Sequence, residues 1–189
     1  MRLKCTLLIV CFSFMSYSQG LRVSGVFGLG LFPSFETATF NYNFNPSPSF
    51  RVGLARDLKF GGKQGLTIGG YLGFQNVAYQ LIKKSNGSSS DISTELYDLG
   101  FSASTGVDLY EKASYRVSSG FKLYLGGLFI TSNDPVRFVL RPNVYTSVFF
   151  GSTRKEMKHG LTTEIGINYI SESSIRDHYS FCLGYVRKF

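Results

Sequence analysis

From residue 21 onward, large apolar residues alternate with small or polar ones, and the alternation recurs in about eight segments. A period of two is the mark of a strand with one face in an apolar medium. The first segment, about 21–31, sets Leu21, Val23, Phe27, Leu29 and Leu31 against Arg22, Ser24, Gly28 and Gly30. The same rule predicts strands over about 48–57, 65–76, 95–107, 115–128, 138–150, 160–170 and 179–189. One face of each is Leu, Phe, Val, Ile or Tyr. The other mixes Gly and Ser with Arg51, Asp98, Arg116, Lys122, Tyr124, Arg141, Asn143, Tyr145, Glu164 and Asn168.

A soluble β-sandwich or a lipocalin-like barrel also alternates. Three features favour a closed barrel in a membrane. The polar face is too rich in Gly, Ser and charge for a dry core. The segments match the ~9–11 residues that a tilted strand needs to cross a bilayer. The connections also fall into two sets, a shorter one (58–64, 108–114 and 151–159) and a more variable one (32–47, 77–94, 129–137 and 171–178). That asymmetry suits short turns in the periplasm and longer loops outside. The expected fold is therefore all-β, an eight-stranded antiparallel up-and-down transmembrane β-barrel forming one domain over residues 19–189. Ser85-Asn86-Gly87-Ser88-Ser89-Ser90 reads as a loop tip, and Asn45-Pro46-Ser47-Pro48 as a stiffened lead into the second strand.

Mean hydropathy is near zero, and past the N-terminus no run approaches the ~18–20 apolar residues of a spanning helix. A helix bundle is excluded, which leaves a closed barrel as the way to satisfy backbone groups in lipid. At the N-terminus, Arg2 and Lys4 precede the apolar stretch Cys5 to Met15, interrupted by Thr6 and Ser13. Ser16 and Ser18 suit cleavage before Gln19, so residues 1–18 read as a signal peptide. Val10 is too large for the position before a lipoprotein cysteine at Cys11. Cleavage would leave Cys182 alone, with no internal disulfide. It would also lower the formal net charge of +8 by two, to +6. The cations form no patch with interleaved aromatics, so nucleic acid is not an expected partner; anionic lipid head groups or a polar lumen account for them.

The C-terminus alternates Tyr179, Phe181, Leu183 and Tyr185 and ends in Phe189, with Gly184 inside the run. This resembles the last strand of outer-membrane barrels, whose terminal aromatic is read by the barrel-assembly machinery; Arg187 departs from the pattern where a second aromatic is common. The whole mature segment resembles the small OmpA/OmpX-like and PorT-like families. That resemblance implies residence in a bacterial outer membrane, outer-membrane lipids and the assembly machinery as partners, and a place in a larger outer-membrane complex as one role. It implies Gly184, Tyr185 and Phe189 as the assembly signal and carries no catalytic residues.

Small barrels have interiors just wide enough for side chains. Arg22, Arg51, Asp98, Arg116, Lys122, Arg141 and Glu164 are expected to form a polar lumen network, with Asp98 and Glu164 as the anions that pair the cations. A narrow anion path is the alternative use of the same residues. His178-Tyr179-Ser180 is similar to the His-x-Ser pair of PagL-type lipid A deacylases, but that pair would face the lumen, and Glu164 is expected near the opposite end of the barrel. His159 is expected in a periplasmic turn. No metal spacing, phosphate loop or cofactor motif is present. Tyr42, Phe44, Tyr97, Tyr110, Tyr169, Tyr179 and Phe189 are expected to form aromatic girdles at the two interfaces. The reading is a non-enzymatic barrel with a structural or accessory role, with a small anion pore or a lipid A-modifying enzyme as alternatives.

Overall fold

A computed structural model describes residues 20–59, 65–130, 136–152, 157–171 and 177–189. The proposed signal peptide lies outside these. Strands are β1 (Leu21–Leu31), β2 (Phe35–Glu36), β3 (Phe40–Phe44), β4 (Ser47–Lys59), β5 (Gly65–Lys83), β6 (Ser89–Glu111), β7 (Tyr115–Ile130), β8 (Arg137–Phe150), β9 (His159–Ile170) and β10 (His178–Lys188). Every pairing is antiparallel. β1 pairs with both β4 and β10, and β5 with both β4 and β6, so the sheet closes on itself. The ring holds β1 and β4 to β10, eight strands in up-and-down order, and closure leaves no edge within it. β2 and β3 branch from the upper part of β5.

The alternation decides which face is which. Outward positions such as Phe27, Phe101, Phe121, Ile165 and Leu183 are exposed, Phe101 at 74%. Inward positions such as Arg51, Asp98, Arg141, Glu164 and Asn168 are buried. A closed ring that exposes its apolar face and buries its polar one inverts the arrangement of a water-soluble barrel.

The structure departs from the sequence-based expectation in the second long connection. Residues 77–83 and 89–94, expected as loop, continue β5 and β6 as a paired hairpin as far as Ile82↔Ser89. The outward face of this extension turns polar (Asn76, Gln80, Asp91, Ser93, Glu95) above Phe74 and Tyr97. A polar outer face reads by alternation as a solvated strand, but it interrupts the apolar period that predicted the barrel strands. The turn is closed by Gly87, whose φ of 68° suits glycine, and by Asn86 Oδ1, which accepts from the Ser88 N–H at 3.1 Å. β3 and β4 both pair with β5 and would be one strand but for the break at Asn45-Pro46, where the Asn45 N–H still reaches the Ala78 carbonyl at 3.0 Å. Another irregularity lies between β8 and β9. The register runs Leu140↔Tyr169 and then Asn143↔Gly166, skipping Arg141 and Pro142. Proline has no N–H to give, so the ladder opens there.

Candidate functional site: a polar lumen and a lobe beyond the barrel

The centre of the lumen is organised around Glu164 on β9, 1% exposed. Its carboxylate accepts from Lys122 Nζ at 2.8 Å, from the Tyr124 hydroxyl at 2.8 and 3.1 Å, and from Asn143 Nδ2 at 3.2 Å. Arg51 Nη1 lies 3.6 Å away. A second pair, Arg141 on β8 with Asp98 on β6, is buried on both sides. These contacts tie β4, β6, β7, β8 and β9 together through the middle of the barrel. The Arg51 guanidinium and Lys122 Nζ each sit 4.7 Å from the centre of the Tyr124 ring, and Tyr71 meets that ring edge-on at 4.9 Å. Cation–π contacts of this kind strengthen when desolvated.

Arg22 and Arg116 find anions that the sequence reading did not assign. Arg22 Nε is 2.5 Å from Asp57 Oδ1, which also accepts from the Thr67 hydroxyl at 2.8 Å. Arg116 Nε is 3.8 Å from Asp108 Oδ1, which accepts from the Ser118 hydroxyl at 2.5 Å. The signal was available, because Asp57 keeps the inward parity of Arg51 and Asp108 that of Asp98. Both stand at strand ends, where Asp108 reads as part of a turn.

Two apolar clusters lie above and below this ionic layer. On the loop side, Phe32, Val77, Leu96, Leu128 and Val139 form a buried cluster, with Phe44, Tyr79 and Ile170 packed against it. On the side of the termini, Phe149, Met157 and Val186 form another. Between them lie a cavity of about 50 Å³ beside Arg51, Lys122 and Glu164 and a smaller one of about 10 Å³ beside Asp98, Arg141 and Ser180. These hold a few waters at most.

His178 and Ser180 face the lumen, at 1% and 4% exposure. The His178 ring stacks on Phe32 at 3.8 Å and its Nε2 is 3.3 Å from the Gln75 amide nitrogen. The expected position of Glu164 needs correction. Ser180 pairs with Gly166 and Cys182 with Glu164, so Glu164 sits mid-lumen, one inward position below Ser180, with its carboxylate engaged by Lys122, Tyr124 and Asn143. β9 runs from His159 to Ile170, which puts Glu164 near its middle. His159 is the first residue of β9 rather than part of a turn, and its Nδ1 is hydrogen-bonded to the Tyr185 hydroxyl. Cys182 is a buried free thiol. Among the described residues no group of three His, Cys, Asp or Glu side chains is placed to hold a metal.

Of the C-terminal residues, Gly184 allows close approach of β1. A Cβ there would lie 2.3 Å from Val26 Cγ1 and 2.4 Å from the Gly25 carbonyl oxygen. Tyr185 and Phe189 project outward, about half exposed. The Phe189 N–H donates to the Leu21 carbonyl at 2.9 Å, completing the β1–β10 seam.

Tyr97, Tyr169 and Tyr179 are exposed at the loop end of the barrel, and Tyr110 and Phe189 at the other. Tyr42 and Phe44 are not part of a girdle. They lie on β3, on the inward side of the extension, where rings stack from the surface down to the lumen. Phe35 stacks on Tyr42 at 4.4 Å, Phe44 lies 5.0 Å from Tyr79, and Phe32 bridges Phe44 (5.2 Å) to His178. With the ion pair of Lys84 and Glu36 at 2.8 Å, β2, β3 and the upper parts of β5 and β6 form an ordered lobe continuous with the upper seal.

No family model matches the chain, and no curated protein matches it. Among solved structures it is similar to Neisserial surface protein A, over 90% of this chain and 98% of that one, at 14% identity and a TM-score of 0.50. Weaker likenesses extend to the beta domain of the Bordetella autotransporter Brka (91% and 100% covered, 9% identity, TM-score 0.42) and to Ail, the attachment invasion locus protein of Yersinia pestis (90% and 99% covered, 10% identity, TM-score 0.39). What the likeness shows is the fold, that of the small outer-membrane β-barrels.

Proposed function

We propose that the protein is an integral outer-membrane barrel without enzymatic activity, whose role is structural or accessory and is exercised through its extracellular lobe. The carrying observation is the division of the molecule. The lumen is cross-linked by ion pairs and flanked by apolar layers, while the elaborated element outside the barrel among the described residues is a sheet with a polar outer face and a stacked aromatic interior. Residues 76–83 at ~3.4 Å each run about 25 Å along the strand past the apolar band, and less along the axis of a tilted barrel. Such a lobe suits display at the cell surface or docking to a larger secretion or assembly complex, the role implied by the PorT-like resemblance. The lipids of the outer membrane solvate the belt, and the barrel-assembly machinery inserts it.

The test is an epitope placed between Asn86 and Gly87, combined with fractionation. The protein is expected in the outer membrane, with a slower gel band after boiling and with the epitope labelled on intact cells. Labelling that needs permeabilised cells, or release by osmotic shock, refutes the reading. Planar-bilayer recordings are expected to show no stable conductance, and Ser180→Ala to leave the lipid A mass spectrum unchanged.

A further inference from the structure

We propose that the central lumen cavity is a binding site for one small monovalent anion of halide size. The case rests on charge, space and an unmade hydrogen bond at one place. In the middle layer Arg51, Lys122 and Arg141 face Asp98 and Glu164. Arg141 is matched by Asp98. Arg51 and Lys122 share the single carboxylate of Glu164. Of the neighbouring cations, Arg22 is matched by Asp57 and Arg116 by Asp108, while Lys188 lies outside the layer, over the Phe149 ring at 4.0 Å. One positive charge in the layer therefore lacks a carboxylate among the described residues, and a buried charge without a counter-charge is strongly disfavoured.

The cavity of about 50 Å³ lies where that surplus sits, lined by Arg22, Arg51, Lys122, Tyr71, Tyr145 and Glu164 among others. Arg51 is 5% exposed, and its Nη1 makes no hydrogen bond, only the 3.6 Å ion pair. The Tyr71 hydroxyl also lines the cavity but is directed toward the Asp98 carboxylate. A buried guanidinium N–H that lacks an acceptor is a donor awaiting one. The space of about 50 Å³ has room for a monatomic anion with water beside it. Water satisfies the donor but leaves the charge. An anion satisfies both. The apolar layers on either side imply that the ion exchanges slowly, through thermal opening of the barrel ends, and does not permeate.

The experiment uses the protein extracted from membranes in mild detergent, with sodium bromide replacing sodium gluconate at constant ionic strength. Above the dissociation constant, each tenfold rise in bromide is expected to raise the unfolding midpoint by about 3–5 °C. In Lys122→Gln the two remaining central pairs, Arg51 with Glu164 and Arg141 with Asp98, are neutral. Its midpoint is expected not to respond to bromide and, in gluconate alone, to equal or exceed that of the wild type. Crystals of the wild type grown in bromide are expected to show an anomalous peak touching Arg51 and Lys122, which keeps the test valid if the variant folds poorly. Equal bromide responses in both proteins, or a flat wild-type response with no peak, overturn the proposal. The flat response is also what a deprotonated Cys182, 3.6 Å from Arg51 Nη2, would give as the counter-charge.

Discussion

Glu164→Gln separates a plugged barrel from a water-filled one. The change keeps the shape of the side chain and removes its charge. In the structure Glu164 holds Lys122 at 2.8 Å, and it faces Arg51 at 3.6 Å and the Tyr124 hydroxyl at 2.8 Å. The glutamine oxygen can still accept from Tyr124 or Lys122, but the two cations lose their shared anion. Removing one partner of a buried ion pair costs about 3–5 kcal/mol. The adjacent 50 Å³ cavity lets water or an anion approach the orphaned cations, so the low end, about 3 kcal/mol, is expected. For a domain of this size that is a fall of roughly 6–12 °C in the unfolding midpoint. The assay is the temperature at which the fast-migrating folded band disappears from an unboiled gel, with urea titration in lipid vesicles as the quantitative form. Adding Lys122→Met should recover much of the loss, because the pair is removed together, and the coupling is read from the double-mutant cycle. Were the lumen a hydrated channel, the same charges would behave as surface pairs worth ~0–1 kcal/mol. A loss below about 1 kcal/mol with no coupling to Lys122 therefore refutes the sealed, mutually compensated lumen.

Two further perturbations probe the wall. Phe101→Lys places a charge on an outward residue that is 74% exposed in the middle of the apolar band. It is expected to cost about 2–4 kcal/mol in vesicles, while Gln80→Lys in the lobe stays within about 0.5 kcal/mol; equal effects would show that the belt does not face lipid. Pro142→Thr restores the N–H missing opposite Ile167 and is expected to stabilise the barrel by about 0.5–1.5 kcal/mol, read in the same urea titration. No gain would mean that the β8–β9 gap is held open by something other than the missing donor.

Most of the ring is legible in the sequence because a barrel wall has an apolar medium on one side only, and alternation then persists along every strand. The first segment coincides with β1, and the others differ from β4 to β10 mainly at their ends. The extension of β5 and β6 was hidden because above Phe74 and Tyr97 the lipid gives way to water. Asn76, Gln80, Asp91 and Ser93 then replace the apolar series on the outward face, and backbone pairing continues without the pattern that advertises it. The lumen network was legible for Arg51, Lys122, Arg141, Asp98 and Glu164, whose inward parity is unambiguous. The apolar seals were not. Val77, Leu96, Leu128, Val139 and Phe149 occupy inward positions but are apolar, so composition assigns them to the wrong face while parity assigns them correctly. Parity is imposed by the pleat and cannot be broken without a bulge, whereas composition follows the medium, and the medium at the ends of this lumen is other side chains.

The layering has a functional consequence that separate contacts do not reveal. A lumen that was ionic throughout would hydrate from both ends, and its pairs would weaken toward their surface values. Apolar plates at Phe32–Val139 and Phe149–Val186 keep bulk water away from the central charges, so each hydrogen bond to Glu164 acts in a low-dielectric layer where losing one is costly. The upper plate is shared, because Phe32 belongs both to the seal and to the aromatic stack through Phe44 and Tyr79 into the lobe. The stacked rings thus give the lobe a packed connection to the seal. A partner that reordered Phe35 and Tyr42 would act on the lumen through Phe32 and His178 without entering it.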